Sequence, residues 1–233
     1  MKTQAISQTL KELANPAIAE HSQRFFKTGK GEYGEGDRFL GIRVPILREQ
    51  AKKYQEIALT EIQLLLKSSF HEERLCALLL LVRKFAKGNE AEKATIYNLY
   101  LNNTKYINNW DLVDSSAHQI AGAYLESKDK QTLHELAQSD SLWERRIAIM
   151  STFHFIKKNQ FEDALAISQK LLKDQEDLIH KAVGWMLREM GKRKVDLLRG
   201  FLAEHASRMP RTMLRYSIEK MSSTERQHWL NQS

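Results

Sequence analysis

The stretch Ile107-Asn108-Asn109-Trp110-Asp111-Leu112-Val113-Asp114 sets the pattern from which the fold is deduced. Read as a helix start, it places an indole and a carboxylate, Trp110 and Asp114, four residues apart on one face. Other helix starts with a polar anchor ahead of apolar residues recur along the chain: Glu73-Arg74-Leu75-Cys76-Ala77, Arg145-Arg146-Ile147-Ala148, His180-Lys181-Ala182-Val183 and Pro210-Arg211-Thr212-Met213. The anchors lie roughly 30–37 residues apart, close to the period of about 40 residues found in arrays of helix pairs.

The rest of the chain fits such an array. It has only 3 prolines, and no run of alternating β-branched residues predicts a strand. Helices are predicted from 16 and from 45, and over 3–13, 59–66, 71–85, 89–101, 110–125, 130–137, 142–156, 160–172, 177–190, 195–205, 210–221 and 223–230. Each pair leaves an apolar face that only its neighbours can cover. We therefore expect one all-α domain over residues 1–233, a curved superhelical array of antiparallel helix pairs resembling HEAT repeats.

Composition narrows the possible functions. The formal net charge of +7 favours a polyanionic partner, because Lys and Arg displace counterions from phosphates. The single cysteine, Cys76, excludes an internal disulfide and is expected to be a buried small hydrophobic residue. The first residues contain no apolar stretch typical of a signal peptide, and the longest apolar run is too short to span a membrane. A cytoplasmic location is therefore expected.

Equivalent positions of the second helices are expected to line the inner side of the array, as a basic groove that also carries indoles and one acidic spot. Its predicted members are Arg74, Asp114, Arg146, Trp185, Arg188, Arg211 and Arg215. Lys181, Trp185 and Arg188 share a helix face, and a tryptophan between two cations suits a nucleic-acid surface. Arg146 is in register with Lys181 and is expected to point outward, where its forked donors suit a phosphate. Each feature also has a simpler explanation, since Trp110 could be a core residue, Asp114 a surface carboxylate and Asp111 a helix cap.

Other segments give weaker signals. The loop from Gly29 to Asp37 contains four glycines whose N–H groups could bind phosphate, but it matches no phosphate-loop pattern and also reads as a plain surface loop. Arg43 and Arg48 flank a helix start and, by position alone, are solvated charges. The histidines, His71 among them, show no metal spacing and are expected to be structural, so no metal or cofactor is predicted.

Four motifs in order carry a resemblance to a known family: Phe39-Leu40-Gly41-Ile42-Arg43-Val44-Pro45, Asn109-Trp110-Asp111-Leu112-Val113-Asp114, Trp143-Glu144-Arg145-Arg146 and Lys181-Ala182-Val183-Gly184-Trp185-Met186-Leu187-Arg188-Glu189. They resemble the AlkD family of bacterial DNA alkylation repair glycosylases, from about Pro16 to the C-terminal helices. The resemblance implies a HEAT-like superhelix that grips duplex DNA and hydrolyses the N-glycosidic bond of cationic N3- and N7-alkylated purines, without cofactor, in base excision repair. We expect the protein to act on such DNA as a monomer.

The same resemblance assigns roles to residues. Trp110, Asp114 and Trp185 match the catalytic tryptophan, aspartate and tryptophan, and Arg146 matches a phosphate-binding arginine. Arg48 falls at a basic DNA contact, and the complete expected DNA-binding set is Arg43, Arg48, Arg146, Lys181, Arg188, His154 and Phe25. Two of these depart from the family, because Phe25 replaces a tyrosine and lacks its hydroxyl, whereas His154 replaces a lysine.

Two other functions fit the same basic groove. A non-catalytic HEAT-repeat module could bind nucleic acid or an acidic protein without releasing a base. An RNA-binding repeat protein would prefer single strands. Base release from methylated DNA separates the glycosylase from both.

Overall fold

The computed structural model of the protein describes residues 2–232, and α-helices form most of it. The helices are α1 Lys2–Glu12, α2 Pro16–Phe25, α3 Val44–Lys53, α4 Leu59–Leu66, α5 His71–Lys87, α6 Glu90–Leu101, α7 Trp110–Asp114, α8 Gln131–Leu136, α9 Leu142–Lys157, α10 Glu162–Lys170, α11 Asp177–Gly191, α12 Val195–His205, α13 Arg211–Ser217 and α14 Ser223–Leu230. Within these residues there is no β-strand, only an isolated bridge between Arg38 and Phe70. The all-α prediction is confirmed, and none of the described helices is long and apolar enough to cross a membrane.

The chain divides into two compact units, the first ending at Ser116 and the second beginning at Ala117. In the first unit α5 is the central helix, and α3, α4, α6 and α7 all pack against it. Its residues from His71 to Leu81 are all buried, including Cys76 as predicted. The first turn of this buried helix carries four ionisable residues, His71-Glu72-Glu73-Arg74. Burial of so many charges requires partners from the surrounding segments.

In the second unit the helices pack as pairs and the pairs pack on one another. Helices α8 and α10 both lie against α9, and α11 contacts α9, α10, α12 and α13. The second helices of successive pairs, α9, α11 and α13, thus form a continuous layer, as the repeat in the sequence predicts. Gly184 permits one of these contacts, because a Cβ at this position of α11 would lie 2.6 Å from the carbonyl oxygen of Met213 in α13.

The predicted helix over 110–125 is wrong, because α7 ends at Asp114 and a separate π-helical turn spans His118–Gly122. The hydroxyl groups of Ser115 and Ser116 donate to the carbonyl oxygen of Leu112, at 3.3 Å and 2.6 Å. Such side-chain bonds compete with the continuing backbone ladder. Farther along, Gly122 lies so close to α9 that a Cβ would meet the carbonyl oxygen of Ser151 at 2.3 Å. The helix is therefore interrupted between Trp110 and Leu125.

Backbone contacts hold α2 in place. All ten residues of α2 are described, and none of them is fully buried. The N–H of Asn15, its N-cap residue, donates to the carbonyl oxygen of Leu40 at 2.9 Å. Next to this bond Gly41 has φ +81°, and a Cβ there would lie 2.1 Å from the carbonyl oxygen of Asn15. Only glycine allows this contact between α2 and the segment before α3.

Gly41→Ala is expected to destabilise the protein more than Gly36→Ala does. Both glycines have φ +81°, so the left-handed backbone lowers the free energy of unfolding of each alanine variant by about 1–2 kcal/mol. A Cβ at Gly36 has no atom within 4 Å, whereas at Gly41 it collides with backbone atoms, which adds about 1–3 kcal/mol. Urea unfolding of the two variants measures the difference. Equal losses would show that the contact at Gly41 contributes nothing.

Candidate nucleic-acid interface

The turn that carries Trp110 and Asp114 begins at a well-formed cap. Asn109 is extended and fully buried, and its side-chain oxygen accepts a hydrogen bond from the N–H of Trp110 at 2.9 Å. Trp110 and Asp114 then lie at the two ends of α7, and both are partly exposed. Burial raises the pKa of Tyr100, its hydrogen bond with Ser116 lowers it, and the charge of Asp114 raises it further. One helical turn therefore presents an indole and a carboxylate, as the sequence predicts.

The Trp110 indole belongs to an aromatic cluster of the first unit. Phe26 stacks on it with ring centroids 5.2 Å apart and an interplanar angle of 17°, and Phe25 meets it edge-on at 5.9 Å. Phe26 also contacts Phe39 and His71, each at 5.0 Å. Phe25 is 57% exposed, so the structure brings two sequence-predicted residues, Phe25 and Trp110, to the same surface.

Beneath this cluster, the ring of His71 lies between two carboxylates. Its Nδ1 is 2.9 Å from Oδ2 of Asp37, and its Nε2 is 2.8 Å from Oδ2 of Asp111. Arg74 also donates to Asp37, and Asn109 donates to it at 3.4 Å. Asp111 accepts a further bond from the N–H of Leu112 at 2.9 Å. The start of α7 is thus tied to α5 and to the end of the glycine-containing loop.

The pKa values of His71 and Asp37 follow from this geometry. Burial by itself lowers the pKa of His71, but the charge and hydrogen bonds of Asp111 and Asp37 outweigh it and raise the pKa to about 9. Burial likewise raises the pKa of Asp37, yet its bond with His71 and the charge of Arg74 bring it below its ordinary value. At neutral pH the cluster therefore contains an imidazolium, a guanidinium and two carboxylates, whose charges balance.

The segment that follows the glycine loop is held by Glu72, the residue next to His71 in α5. The carboxylate of Glu72 accepts bonds from the N–H groups of Leu40 at 2.8 Å, Gly41 at 2.7 Å and Ile42 at 3.2 Å. In the loop itself, Gly29 and Gly31 donate to the loop's own glutamates, Glu32 and Glu35, at 2.9 Å and 2.7 Å. These amide groups are therefore occupied, which favours the surface-loop interpretation over phosphate binding.

In the second unit Trp185 is also partly exposed. Val183 and Met190, on the opposite side of α11, are buried, so Trp185 lies on the more exposed side of this helix. The Phe153 ring of α9 lies 6.0 Å from Trp185, and His118 lies 5.3 Å from Phe153. The indole of Trp185 thus contacts a ring of α9, and that ring in turn contacts His118 of the π-helical turn.

The cations next to Trp185 have carboxylate partners. Lys181 lies 2.7 Å from Asp177, one turn earlier in α11. Arg188 donates to Glu219, and its Nε is 3.7 Å from Glu189. The net positive charge beside the indole is consequently smaller than the sequence alone suggests.

Two arginines expected to line the groove are buried. Arg146 is 4% exposed, and its guanidinium donates to the carbonyl oxygen of Leu178 in α11. The expectation that Arg146 points outward is therefore wrong, because helix-to-helix bonding draws it inward. Arg74 is also 4% exposed, and its bonds to Asp37 and to the carbonyl oxygen of Ser68 turn it into the first unit. Arg145, which directly precedes Arg146, pairs with Asp174 at 2.6 Å.

The remaining predicted contacts lie at the surface. Arg43 and Arg48 are exposed at the N-cap and in the middle of α3. The Nε2 of His154 lies 2.8 Å from Oε2 of Glu126, and this bond holds the pKa of Glu126 below its ordinary value. Within the part of the chain that the structure describes, no group of three His, Cys, Asp or Glu residues is arranged to hold a metal ion.

Sequence reasoning missed the cluster around His71, which it placed among ordinary structural histidines. A local signal was present, because the four ionisable residues His71-Glu72-Glu73-Arg74 directly precede the most apolar run of the chain. Charges at the start of a buried helix require partners. The sequence could not show that Asp37 and Asp111 are those partners.

Comparison with known proteins gives the family. A family model described as DNA alkylation repair enzyme matches residues 6–221. The chain belongs to this DNA alkylation repair family. Its role is therefore in the repair of alkylated DNA, and the sequence-based identification is confirmed.

Solved structures of similar fold exist. A predicted DNA alkylation repair enzyme from Enterococcus faecalis is 18% identical, with a TM-score of 0.69, over 90% of this chain and 97% of that one. AlkD2 from Streptococcus mutans is 15% identical, with a TM-score of 0.58, over 94% of this chain and 100% of that one. At these sequence identities, the similarity to the two solved structures shows a shared fold only. No curated protein sequence matches the chain.

The stability of the protein is expected to fall as the pH rises from about 6.5 to beyond 9. Folding raises the pKa of His71 from 6.5 to about 9, so the stabilisation is complete below 6.5 and is lost as the folded protein gives up the proton. The loss amounts to about 3 kcal/mol. Urea unfolding of wild type and His71→Gln across this range measures it, because the variant lacks this component. The same pH slope in both proteins would contradict the assignment.

Proposed function

We propose that this member of the DNA alkylation repair family is a monofunctional DNA glycosylase. It excises cationic N3- and N7-alkylated purines from duplex DNA and starts base excision repair as a cytoplasmic monomer. The family match supports a role in alkylation repair, and the turn Trp110–Asp114 supports the chemistry. Of the two aspartates on this turn, Asp111 has one oxygen bonded to His71 and the other to Leu112, whereas the partly exposed Asp114 lies at the opposite end. The observation that carries the proposal is the partly exposed indole and carboxylate, Trp110 and Asp114, on the same helical turn.

The reaction requires little of the protein, because an alkylated purine is already a cation. When the bond between C1′ and the purine nitrogen breaks, its electron pair stays on the purine and neutralises it, so no general acid is needed. Positive charge develops on the deoxyribose, as in glycoside cleavage generally. The carboxylate of Asp114 stabilises this charge and orients the water that adds to C1′. The proton released by that water passes to Asp114 or to solvent.

The aromatic residues would act on the sugar. In this proposal the face of Trp110 that is not covered by Phe26 packs on the deoxyribose and stabilises its cationic character. The resemblance gives Trp185 the same task. Phe25, whose exposed ring meets Trp110 edge-on, offers an apolar contact where the family has a tyrosine.

DNA binding would rest mainly on exposed cations. Arg43 and Arg48 are exposed on one helix of the first unit, and Lys181 and Arg188 would exchange carboxylates for phosphates. His154 remains a proposed phosphate contact, although its ring also bonds to Glu126. Arg146 is left out of this set, because it is buried and bonds to Leu178 within the protein.

Asp114→Asn is expected to bind alkylated duplex DNA with an affinity similar to that of the wild type, while release of 7-methylguanine falls by at least a hundredfold. The neutral amide occupies the same space but cannot stabilise a cationic sugar. Chromatography of the released base from methylated DNA under single-turnover conditions measures the rate. Unchanged release by the variant would remove Asp114 from the chemistry, and no release by the wild type would leave the non-catalytic DNA-binding module as the function.

Arg48→Ala is expected to weaken binding to duplex DNA of any sequence and to reduce the slope of log Kd against log salt concentration by about 1, since one phosphate contact is lost. Fluorescence anisotropy at several salt concentrations measures both. Lys67→Ala serves as the control, because Lys67 is exposed at the end of α4 and lies outside the expected DNA-binding set. If the two variants have the same slope as the wild type, Arg48 does not bind phosphate.

A further inference from the structure

The hydrogen bonds of His71 define the protonation state of its ring. Both nitrogens lie within 2.9 Å of a carboxylate oxygen, one from Asp37 and one from Asp111. A neutral imidazole has one N–H donor and one lone pair, so it can satisfy only one carboxylate. The other carboxylate would then face a lone pair at hydrogen-bonding distance. Two ionised carboxylates at these distances are therefore both satisfied only by the imidazolium, with both N–H groups donating.

The two carboxylates differ in what they could do if the ring lost a proton. The side chain of Asp37 is 2% exposed and also accepts bonds from Arg74 and Asn109, so it stays paired. The Asp111 side chain is 16% exposed and can turn toward water. The bond that breaks on deprotonation is thus the one between His71 and α7.

A second connection links His71 to Trp110 through stacked rings. Phe39 stacks on His71 at 4.6 Å, Phe26 contacts His71 at 5.0 Å, and Phe26 stacks on Trp110 at 5.2 Å. Both the backbone of the turn and the face of its indole therefore depend on where the imidazole lies. The charged groups around His71 are Asp37 from the loop, Asp111 from α7 and, bonded to Asp37, Arg74 from its own helix. The residue after α2 and the segment after the loop contribute the phenyl rings of Phe26 and Phe39.

We propose that His71 is a positioning residue, whose doubly protonated ring ties Asp111 to the buried Asp37 and so fixes the turn that carries Trp110 and Asp114. Loss of one ring proton releases this turn and displaces both side chains. The inference rests on the proposed function only in its effect on base release. Its effect on the position of Trp110 is a property of the folded protein alone.

The first test uses the wild-type protein without DNA. Nitrogen-15 NMR of the histidine rings is expected to show both nitrogens of His71 protonated at pH 7. The indole N–H resonance of Trp110, identified by its absence in Trp110→Phe, is expected to shift between pH 7 and pH 10 with the same midpoint as His71. A single ring proton at pH 7, or an indole resonance that stays constant while His71 titrates, would overturn the proposal.

The second test uses Asp111→Asn, which is expected to abolish the pH dependence of the Trp110 position. The Asn side chain retains the acceptor for Leu112, and its amide N–H can donate to the lone pair of a neutral imidazole. The turn should then stay in place whether or not the ring is charged. We expect the midpoint of His71 to drop by at least one pH unit and the Trp110 resonance to stop titrating between pH 7 and pH 10.

Base release provides the functional measurement. Between pH 7 and pH 9.5 the wild-type rate, corrected for spontaneous loss of the base, is expected to fall at least threefold, whereas that of Asp111→Asn stays constant within a factor of about 1.5. Asp163→Asn is the matched control, because it neutralises the carboxylate 3.1 Å from another histidine, His134, and should follow the wild-type profile. The same pH profile for Asp111→Asn and wild type would overturn the proposal.

The experiments distinguish failure of the proposed glycosylase activity from failure of the positioning role of His71. If the wild type releases no base but the Trp110 resonance follows His71, the proposed glycosylase activity is wrong and the positioning role stands. If the wild type releases base but the indole resonance ignores the state of His71, the activity stands and the positioning role is wrong.

Discussion

An imidazolium held between two carboxylates is the interaction on which the first unit depends. Charges removed from water are costly, and the cost is recovered only when each charge has partners of good geometry. Asp37, His71, Arg74 and Asp111 meet this condition together, since their charges balance and their hydrogen bonds are mutual. The cluster joins three segments that are distant in sequence. It holds the start of α7 and the end of the glycine loop on α5, together with the bond from the N–H of His71 to the carbonyl oxygen of Arg38.

The two units support their indoles by different means. Trp110 stands on a single helical turn, which is too short to be stable alone and depends on Asn109 and Asp111 for its position. Trp185 lies within a helix of 15 residues, whose buried face packs on α9 and α13. Its orientation therefore follows mainly from helix packing, to which the buried Arg146 adds a bond from α9 to the carbonyl oxygen of Leu178 in α11. The position of Trp110 accordingly depends more on buried ion pairs than that of Trp185 does.

The sequence predicts much of this arrangement and misses a definite part of it. Periodic apolar residues gave the helix pairs, and the spacing of Trp110 and Asp114 gave the exposed indole and carboxylate of α7. The break after Asp114 was not predicted, because Ser115 and Ser116 are compatible with a helix until their hydroxyls bond to Leu112. Arg74 and Arg146 fit the period of the surface cations, yet partners from other segments draw them inside. The partners of His71 come from residues 34 and 40 positions away, which no local pattern reveals.

The exposed position of α2 has a consequence for how this surface can change. No residue of this fully described helix is buried, and its place is set by backbone contacts at Asn15 and Gly41 together with the rings at its end. Side chains such as Glu20, Gln23 and Arg24 are exposed and can be exchanged with little effect on stability. The surroundings of Trp110 are thus open to variation, while the buried ionic cluster beneath keeps the indole in place. Substitutions on this surface can therefore alter what lies next to Trp110 with little loss of stability. No compensating stabilising substitution is needed first.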